Sequence, residues 1–287
     1  MKTSLEHLPE YKQRQLKEVT DIIINAVNPE KVILFGSHAT GRWVEHRYEE
    51  GGILYEYISD YDILVITRSG EEREDYEVQD VIENRCFYKT PVTAIVHDIN
   101  FVNKMLSEGH YFFTDIEKEG IQLYDSGNTI LVERRPLSAE EAKVITQKYF
   151  EQWFDSAKEF YIDAQNAAQR ESYKNAAFYL HQATVRLYNA IMLVFSGYKP
   201  KTHNLDKLKR YSKRFSQELE GIFPDNTPQE KHLFDLLKRA YVDARYKDDY
   251  IITAEELISL IERVKKLQTI TEKICQEKIA SFGSIIP

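Results

Sequence analysis

The chain has 287 residues, 43% of them hydrophobic and 29% charged, which predicts two domains with packed cores under a charged surface. A formal net charge of −8 excludes general attraction to nucleic acid or anionic membrane, leaving only local patches for such contacts. Two cysteines far apart, Cys86 and Cys275, make no metal-binding pattern and read as free thiols; no apolar run reaches the length of a membrane span, and the opening MKTSLEHLPEYKQRQL has no apolar core of a signal peptide, so a cytoplasmic location is expected.

Residues 8–27 are predicted as a helix, because Leu16, Val19, Ile22, Ile23 and Ala26 form one stripe that Asn28-Pro29 ends. The run Val32-Ile33-Leu34-Phe35 predicts a strand at 31–35 that stops at Gly36-Ser37, with Gly41 after it. The insert Arg42 to Ile58 reads as a hairpin, with its turn at Glu50-Gly51-Gly52 and Tyr55 and Tyr57 alternating on the second arm. A second strand, 60–66, begins Asp60-Tyr61-Asp62 and runs on as Ile63-Leu64-Val65-Ile66. After a charged turn at 69–75, Val78, Val81, Ile82 and Cys86 predict a helix over 76–89. Pro91 opens a third strand, 91–97. Residues 99–119 read as helix interrupted at Gly109, and a short strand follows at 121–124.

Arg134-Arg135-Pro136 reads as a linker, which divides the chain into 1–133 and 134–287. The rest is helix. Ser138 to Glu141, Thr227 to Glu230 and Thr253 to Glu256 are capping boxes, the second with Pro228 at the first helical position. Five helices are predicted near 138–168, 172–196, 203–220, 228–247 and 253–282. Their short connections imply an antiparallel bundle. The expected class is therefore α+β: a mixed sheet with helices, then an all-α bundle.

The chemistry concentrates at Gly36-Ser37 and Asp60-x-Asp62. Alternate strand residues share a face, so Asp60 and Asp62 point the same way, about 6.5–7 Å apart along the backbone. Two carboxylates so close repel, and a divalent cation removes that cost; oxygen ligands suit Mg²⁺. The Gly-Ser turn supplies N–H groups and a hydroxyl for phosphate oxygens, and Arg42 is placed to neutralise one. A phosphate cradle beside a dicarboxylate metal site is what nucleotidyl transfer requires.

Gly36-Ser37-x-x-x-Gly41 followed by Asp60-x-Asp62 resembles the signature of the nucleotidyltransferase superfamily, in its minimal and aminoglycoside-modifying branches. The resemblance implies Mg²⁺ on Asp60 and Asp62, a nucleoside triphosphate (ATP above others) held at Gly36, Ser37, Gly41 and Arg42, and a hydroxyl acceptor. That acceptor is a small molecule or a protein tyrosine, with Tyr246 and Tyr250 as self-modification targets. Many such enzymes carry a third carboxylate on the neighbouring strand. None lies between Thr90 and His97, which leaves His97 and Asp98 as stand-ins, with Asp98 also readable as a helix cap.

The helical half resembles the HEPN domain through His181-Gln182-Ala183, Lys201-Thr202-His203-Asn204-Leu205 and Ala244-Arg245-Tyr246. HEPN ribonucleases carry a histidine shortly after such an arginine. None follows Arg245, which argues against RNA cleavage. The resemblance implies instead nucleotide contacts at Arg245 and Tyr246, an acceptor cleft and a homodimer. Seven cations between Lys199 and Arg214 allow RNA backbone contact, with a solvated helix face as the plainer reading. His38 reads as an exposed imidazole within reach of a phosphate, and His181 as a packed, hydrogen-bonded histidine. The alternative to a transferase is a non-catalytic nucleotide- or RNA-binding protein with a degenerate transferase site.

Overall fold

The computed structural model describes the chain except for residues 44, 51–52, 59, 88–89 and 283–287 and the side chains of 45–50 and 53–58. It divides into two compact units, Met1–Leu137 and Ser138–Pro287.

The first unit is built on a four-stranded mixed sheet. Helix α1 (Glu10–Val27) ends at Asn28, whose left-handed backbone turns the chain into β1 (Lys31–Phe35). Every residue of β1 is buried, as its apolar run requires. The turn α2 (Gly36–Thr40) follows, then the hairpin β2 (Glu45–Glu50) and β3 (Ile53–Ile58); residues 51 and 52 of its expected turn lie outside the described residues. Strand β4 (Tyr61–Thr67) runs antiparallel to β1 with Phe35 opposite Asp62. Helix α3 (Asp75–Cys86) carries the chain to β5 (Val92–Asp98), which lies parallel to β4 with Asp62 opposite Thr93. Helices α4 (Ile99–Ser107) and α5 (Tyr111–Glu119) precede β6 (Ile121–Asp125), and the sheet order is β5-β4-β1-β6.

Both faces of this sheet are covered. Leu16, Val19 and Ile23 of α1 meet Val78, Ile82 and Cys86 of α3 in the core with Val32, Leu34, Ile63 and Val65. Phe35 meets Phe112 edge-on, with ring centroids 5.6 Å apart. At the far sheet edge Lys31 Nζ lies 2.7 Å from Asp125 Oδ2, a pairing that holds the Asp125 carboxyl below its ordinary range.

The second unit is helical. Helix α6 (Ala139–Gln169) starts at the Ser138 capping box, and α7 (Tyr173–Ser196) is buried along most of its length. Alanines at 157, 164 and 167 of α6 and at 176, 177 and 183 of α7 are all within the core. These small side chains let the helix backbones approach closely. Helix α11 (Ala254–Ser281) supplies Leu257, Leu260, Val264 and Leu267 to the same core.

Two of the five predicted helices are broken. The stretch 203–220 forms α8 (Leu205–Lys213), capped by Asn204, and a separate 3-10 turn, Gln217–Leu219; Ser216 is extended between them and its side chain accepts from Glu218 N. The stretch 228–247 forms α9 (Pro228–Arg239) and α10 (Asp243–Tyr246). Asp243 is tied by Arg239 at 2.8 Å and Lys247 at 3.1 Å, and that pairing fixes the turn between the two helices. Periodicity carried through both breaks because each sits on residues compatible with either state.

The Thr253 box satisfies two otherwise orphaned N–H groups at the start of α11: Glu256 N donates to Thr253 Oγ1 and Thr253 N to Glu256 Oε2. Thr253→Ala is expected to lower the unfolding free energy of the helical unit by about 1 kcal/mol, read from its urea denaturation transition, while Thr253→Ser leaves it nearly unchanged.

Candidate functional site

The first-unit acids and the glycine turn meet through the β1–β4 register. Because Phe35 stands opposite Asp62, the residue after it, Gly36, lies under the Asp62 carboxylate. A Cβ built on Gly36 would overlap Asp62 Oδ2, and the backbone there has φ +73°, a region L side chains rarely adopt. Only glycine fits on both counts. Asp62 is buried. Asp60, just before β4, is half-buried, and its Oδ2 accepts from Thr93 Oγ1 at 3.1 Å. Ser37 begins the α2 turn, and its carbonyl accepts from Gly41 N and from Arg42 N at 2.9 Å. Gly41 also has positive φ, and Arg42 is exposed. The structure thus brings together Gly36, Ser37, Asp60 and Asp62, with Gly41 and Arg42 closing the turn.

Thr93 was not singled out in the sequence. It is opposite Asp62 on β5, and its hydroxyl donates to Asp60. Both candidate stand-ins are elsewhere. Asp98 is the N-cap of α4, accepting from Asn100 N at 2.8 Å and Phe101 N at 3.1 Å, as the plainer reading had it. His97 stands opposite Ile66, four residues along β5 from Thr93, with Nδ1 2.9 Å from Asp75 Oδ2 and its ring against Phe101. His38 is not an exposed imidazole. The α2 turn points it inward, where it is buried, stacks on Trp43 at 5.9 Å and meets the Tyr61 ring at a tilt at 4.4 Å.

Among the described residues no group of three or more His, Cys, Asp or Glu side chains is arranged to hold a metal. Two carboxylates with phosphate oxygens completing the shell are nonetheless what Mg²⁺ takes in nucleotide sites, and the space over Gly36 that a Cβ would fill leaves the Asp62 oxygen a fixed seat.

A second constellation is in the helical unit. His181, one residue past Leu180 on α7, is buried, and its Nδ1 lies 3.0 Å from Leu237 O. Burial pushes its pKa down to about 4. The Tyr241 ring, between α9 and α10, stacks on His181 at 5.2 Å and on His203 at 4.7 Å. Arg245 donates from Nε to Tyr241 O at 2.6 Å, and its guanidinium lies 4.9 Å from the Phe178 ring centroid, 4.7 Å from that of Tyr241 and 4.9 Å from that of Tyr246. Beside it a cleft of about 570 Å³ is lined by Lys201, His203, Asn204, Lys238, Arg239 and Tyr241, among others. Burial, then the charges of Arg186, Lys199 and Arg245, push the His203 pKa down.

The seven cations of 199–214 therefore divide. Lys201 lines the cleft, Lys199 lies against the Trp153 ring, and Lys209 donates to the Phe223 carbonyl. Arg186 was missed in the sequence; it lies one helical turn past Gln182 on α7, which is the signal that places it there. Tyr250 is buried, and its hydroxyl donates to Leu236 O at 2.9 Å, so it cannot serve as a modification acceptor. Tyr246 is 74% exposed.

Residues 150–274 match the family model of the HEPN domain, and this part of the helical unit is a HEPN domain. No curated protein matches the chain at a significant level. No helix among the described residues is long and apolar enough to cross a membrane.

His181 gives a pH signature. Its folded pKa is about 4, below the unfolded value of about 6.5, so the unfolded chain binds a proton first as pH falls. Its contribution to stability is complete above about pH 6.5 and is lost progressively down to about pH 4. His181→Gln is expected to flatten that part of the stability–pH curve of the helical unit, measured by urea denaturation at pH 7, 6 and 5. An unchanged slope contradicts the assignment.

Proposed function

We propose that the first unit binds a nucleoside triphosphate through Mg²⁺ at Asp60 and Asp62 and transfers its nucleotidyl group to a hydroxyl acceptor. The observation that carries this is the seat of Asp62 over Gly36, which fixes a carboxylate against the start of the turn that carries Ser37. When bound, Mg²⁺ neutralises the two carboxylates and the triphosphate oxygens and polarises the reacting phosphate.

The chain's own residues do the positioning. Ser37 and the backbone near Gly36 hold the outer phosphates, and Arg42 adds positive charge. Thr93 keeps Asp60 in place. The acceptor oxygen forms a bond to the α-phosphorus, the bond from that phosphorus to the β-phosphate bridging oxygen breaks, and pyrophosphate leaves with the electron pair. The hydroxyl proton passes to solvent, since the neighbouring strand places Thr93 opposite Asp62 and its carboxylate, Asp98, at the other end of the strand as the cap of α4. A small hydroxyl compound is the first acceptor class. A protein tyrosine is the second, with Tyr246 the exposed candidate on this chain. Action as a homodimer in the cytoplasm belongs to the same reading.

The threonine at 93 favours a second reading: a site that binds Mg²⁺–nucleotide and does not turn it over. Thr93→Asp separates the two. A third carboxylate opposite Asp62 raises metal affinity and supplies a base, so transfer to a test acceptor is expected to rise at least tenfold if the site is catalytic. A silent Thr93→Asp protein that still binds nucleotide supports binding alone.

Calorimetry of ATP with Mg²⁺, and with chelator in its place, tests the common premise. Binding is expected only with Mg²⁺ and is lost in the Asp60→Asn, Asp62→Asn double variant. Binding indifferent to both changes removes the metal–triphosphate site from the first unit. Gly36→Ala is expected to weaken Mg²⁺–ATP binding at least tenfold in the same assay, because its Cβ displaces the Asp62 carboxylate.

A further inference from the structure

We propose that His7 is a positioning residue of the first unit's nucleotide site, holding the α2 turn through a ring N–H donated to the turn's backbone. The inference rests on the triphosphate reading above and adds to it a residue outside the Gly36 and Asp60 stretches. His7 lies before α1, 31 residues upstream of His38, and its Nε2 is 2.8 Å from the His38 carbonyl oxygen. A carbonyl can only accept, so Nε2 carries the proton, in the Nε2–H tautomer and in the imidazolium alike. The ring also packs beside Gly41, where a Cβ would meet His7 Cδ2 at 3.9 Å.

The turn needs such a tie. It is a single turn of five residues, too short to hold its own shape. Its first three carbonyls are bonded in succession. Gly36 O accepts from Thr40 Oγ1 at 3.0 Å, Ser37 O from Arg42 N at 2.9 Å, and His38 O from His7. Thr40 and Arg42 belong to the turn or follow it directly, so they move with it. His7 comes from a separate element. In a helical turn the C=O and N–H groups point opposite ways along the axis, so a carbonyl end that is tied also sets the direction of the N–H end. Gly36 is already set under Asp62. The turn is thus held at one end by the Asp62 seat and at the other by His7.

His7 is itself anchored on both sides. Lys2 O accepts from Gln122 N of β6 at 2.8 Å, and Leu8, whose N–H donates to Leu5 O at 2.9 Å, is buried in the core of the sheet. The residues that follow reach the strand of the acids. Gln15 Oε1 accepts from the Tyr61 hydroxyl at 2.8 Å, and Lys12 Nζ lies 4.4 Å from the Trp43 ring centroid and 5.6 Å from that of Tyr61. Tyr61 separates Asp60 from Asp62 on the chain. Residues 7–15 therefore tie the turn and the acid strand to one support.

Donors that are held in place before a ligand arrives bind it more tightly than donors that must be ordered on binding. Without the His7 bond the His38 carbonyl turns to water, and the triphosphate has to order the turn. The loss of one such hydrogen bond corresponds to about threefold to tenfold in affinity.

The test is calorimetry of Mg²⁺–ATP with the full chain, with urea unfolding of each variant measured beside it. His7 is exposed, so its substitution leaves the core intact. His7→Ala and His7→Phe are each expected to weaken binding by about threefold to tenfold, since neither side chain donates and the second keeps a ring beside Gly41. His7→Gln, whose amide donates from a similar reach, is expected to stay within about twofold of the wild type. A wild-type chain that does not bind Mg²⁺–ATP removes the triphosphate reading and this inference with it. Wild-type binding that is unchanged in His7→Ala and His7→Phe overturns the role of His7 alone. A His7→Gln protein as weak as His7→Ala, or a loss of affinity that only follows a lowered urea midpoint, assigns His7 to packing or stability and overturns the proposal as well.

Discussion

The placement of the Asp62 carboxylate on the Cα of Gly36 is the constraint on which the first unit depends. It follows from a register: β1 and β4 are antiparallel with Phe35 opposite Asp62, so the turn residue after Phe35 must pass under the acid. A slip of one residue would send Asp62 to the other face of the sheet and bring an apolar side chain over the turn. The buried runs on both strands prevent that slip, because each would lose its core contacts. The apolar core and the polar site are thus one arrangement seen from two sides. Thr93 extends it across the parallel β4–β5 pair, where register places its hydroxyl at Asp60.

The helical unit solves a different problem. Its core packs small residues on α6 and α7 beside buried rings such as Phe154, Tyr188 and Phe223. Elsewhere in the unit Trp153 lies against Lys199, Phe160 against Arg186, and Phe178 and Tyr241 against Arg245. His181 is held neutral by burial.

Much of this was legible in the sequence, for identifiable reasons. The strands at 31–35 and near 60–66, the capping boxes at 138, 227 and 253, and the HEPN resemblance all rest on local signals strong enough to survive tertiary packing. Ser216 and Asp243 broke helices that periodicity would have continued, because a cap and an ion pair compete with helical hydrogen bonds without altering the apolar spacing. Thr93 and Tyr241 were invisible as site residues. Their roles arise from strand register and helix packing, which single-residue chemistry does not encode. The inward turn of His38 and the burial of Tyr250 have the same origin.

The most direct measurement of the central claim is a crystal structure of the chain with Mn²⁺ and a non-hydrolysable ATP analogue, read by anomalous scattering. A metal peak is expected between the Asp60 and Asp62 carboxylates, with the outer phosphates at Ser37 and the backbone of Gly36. An analogue bound only in the helical unit, with no metal at the two acids, would contradict it.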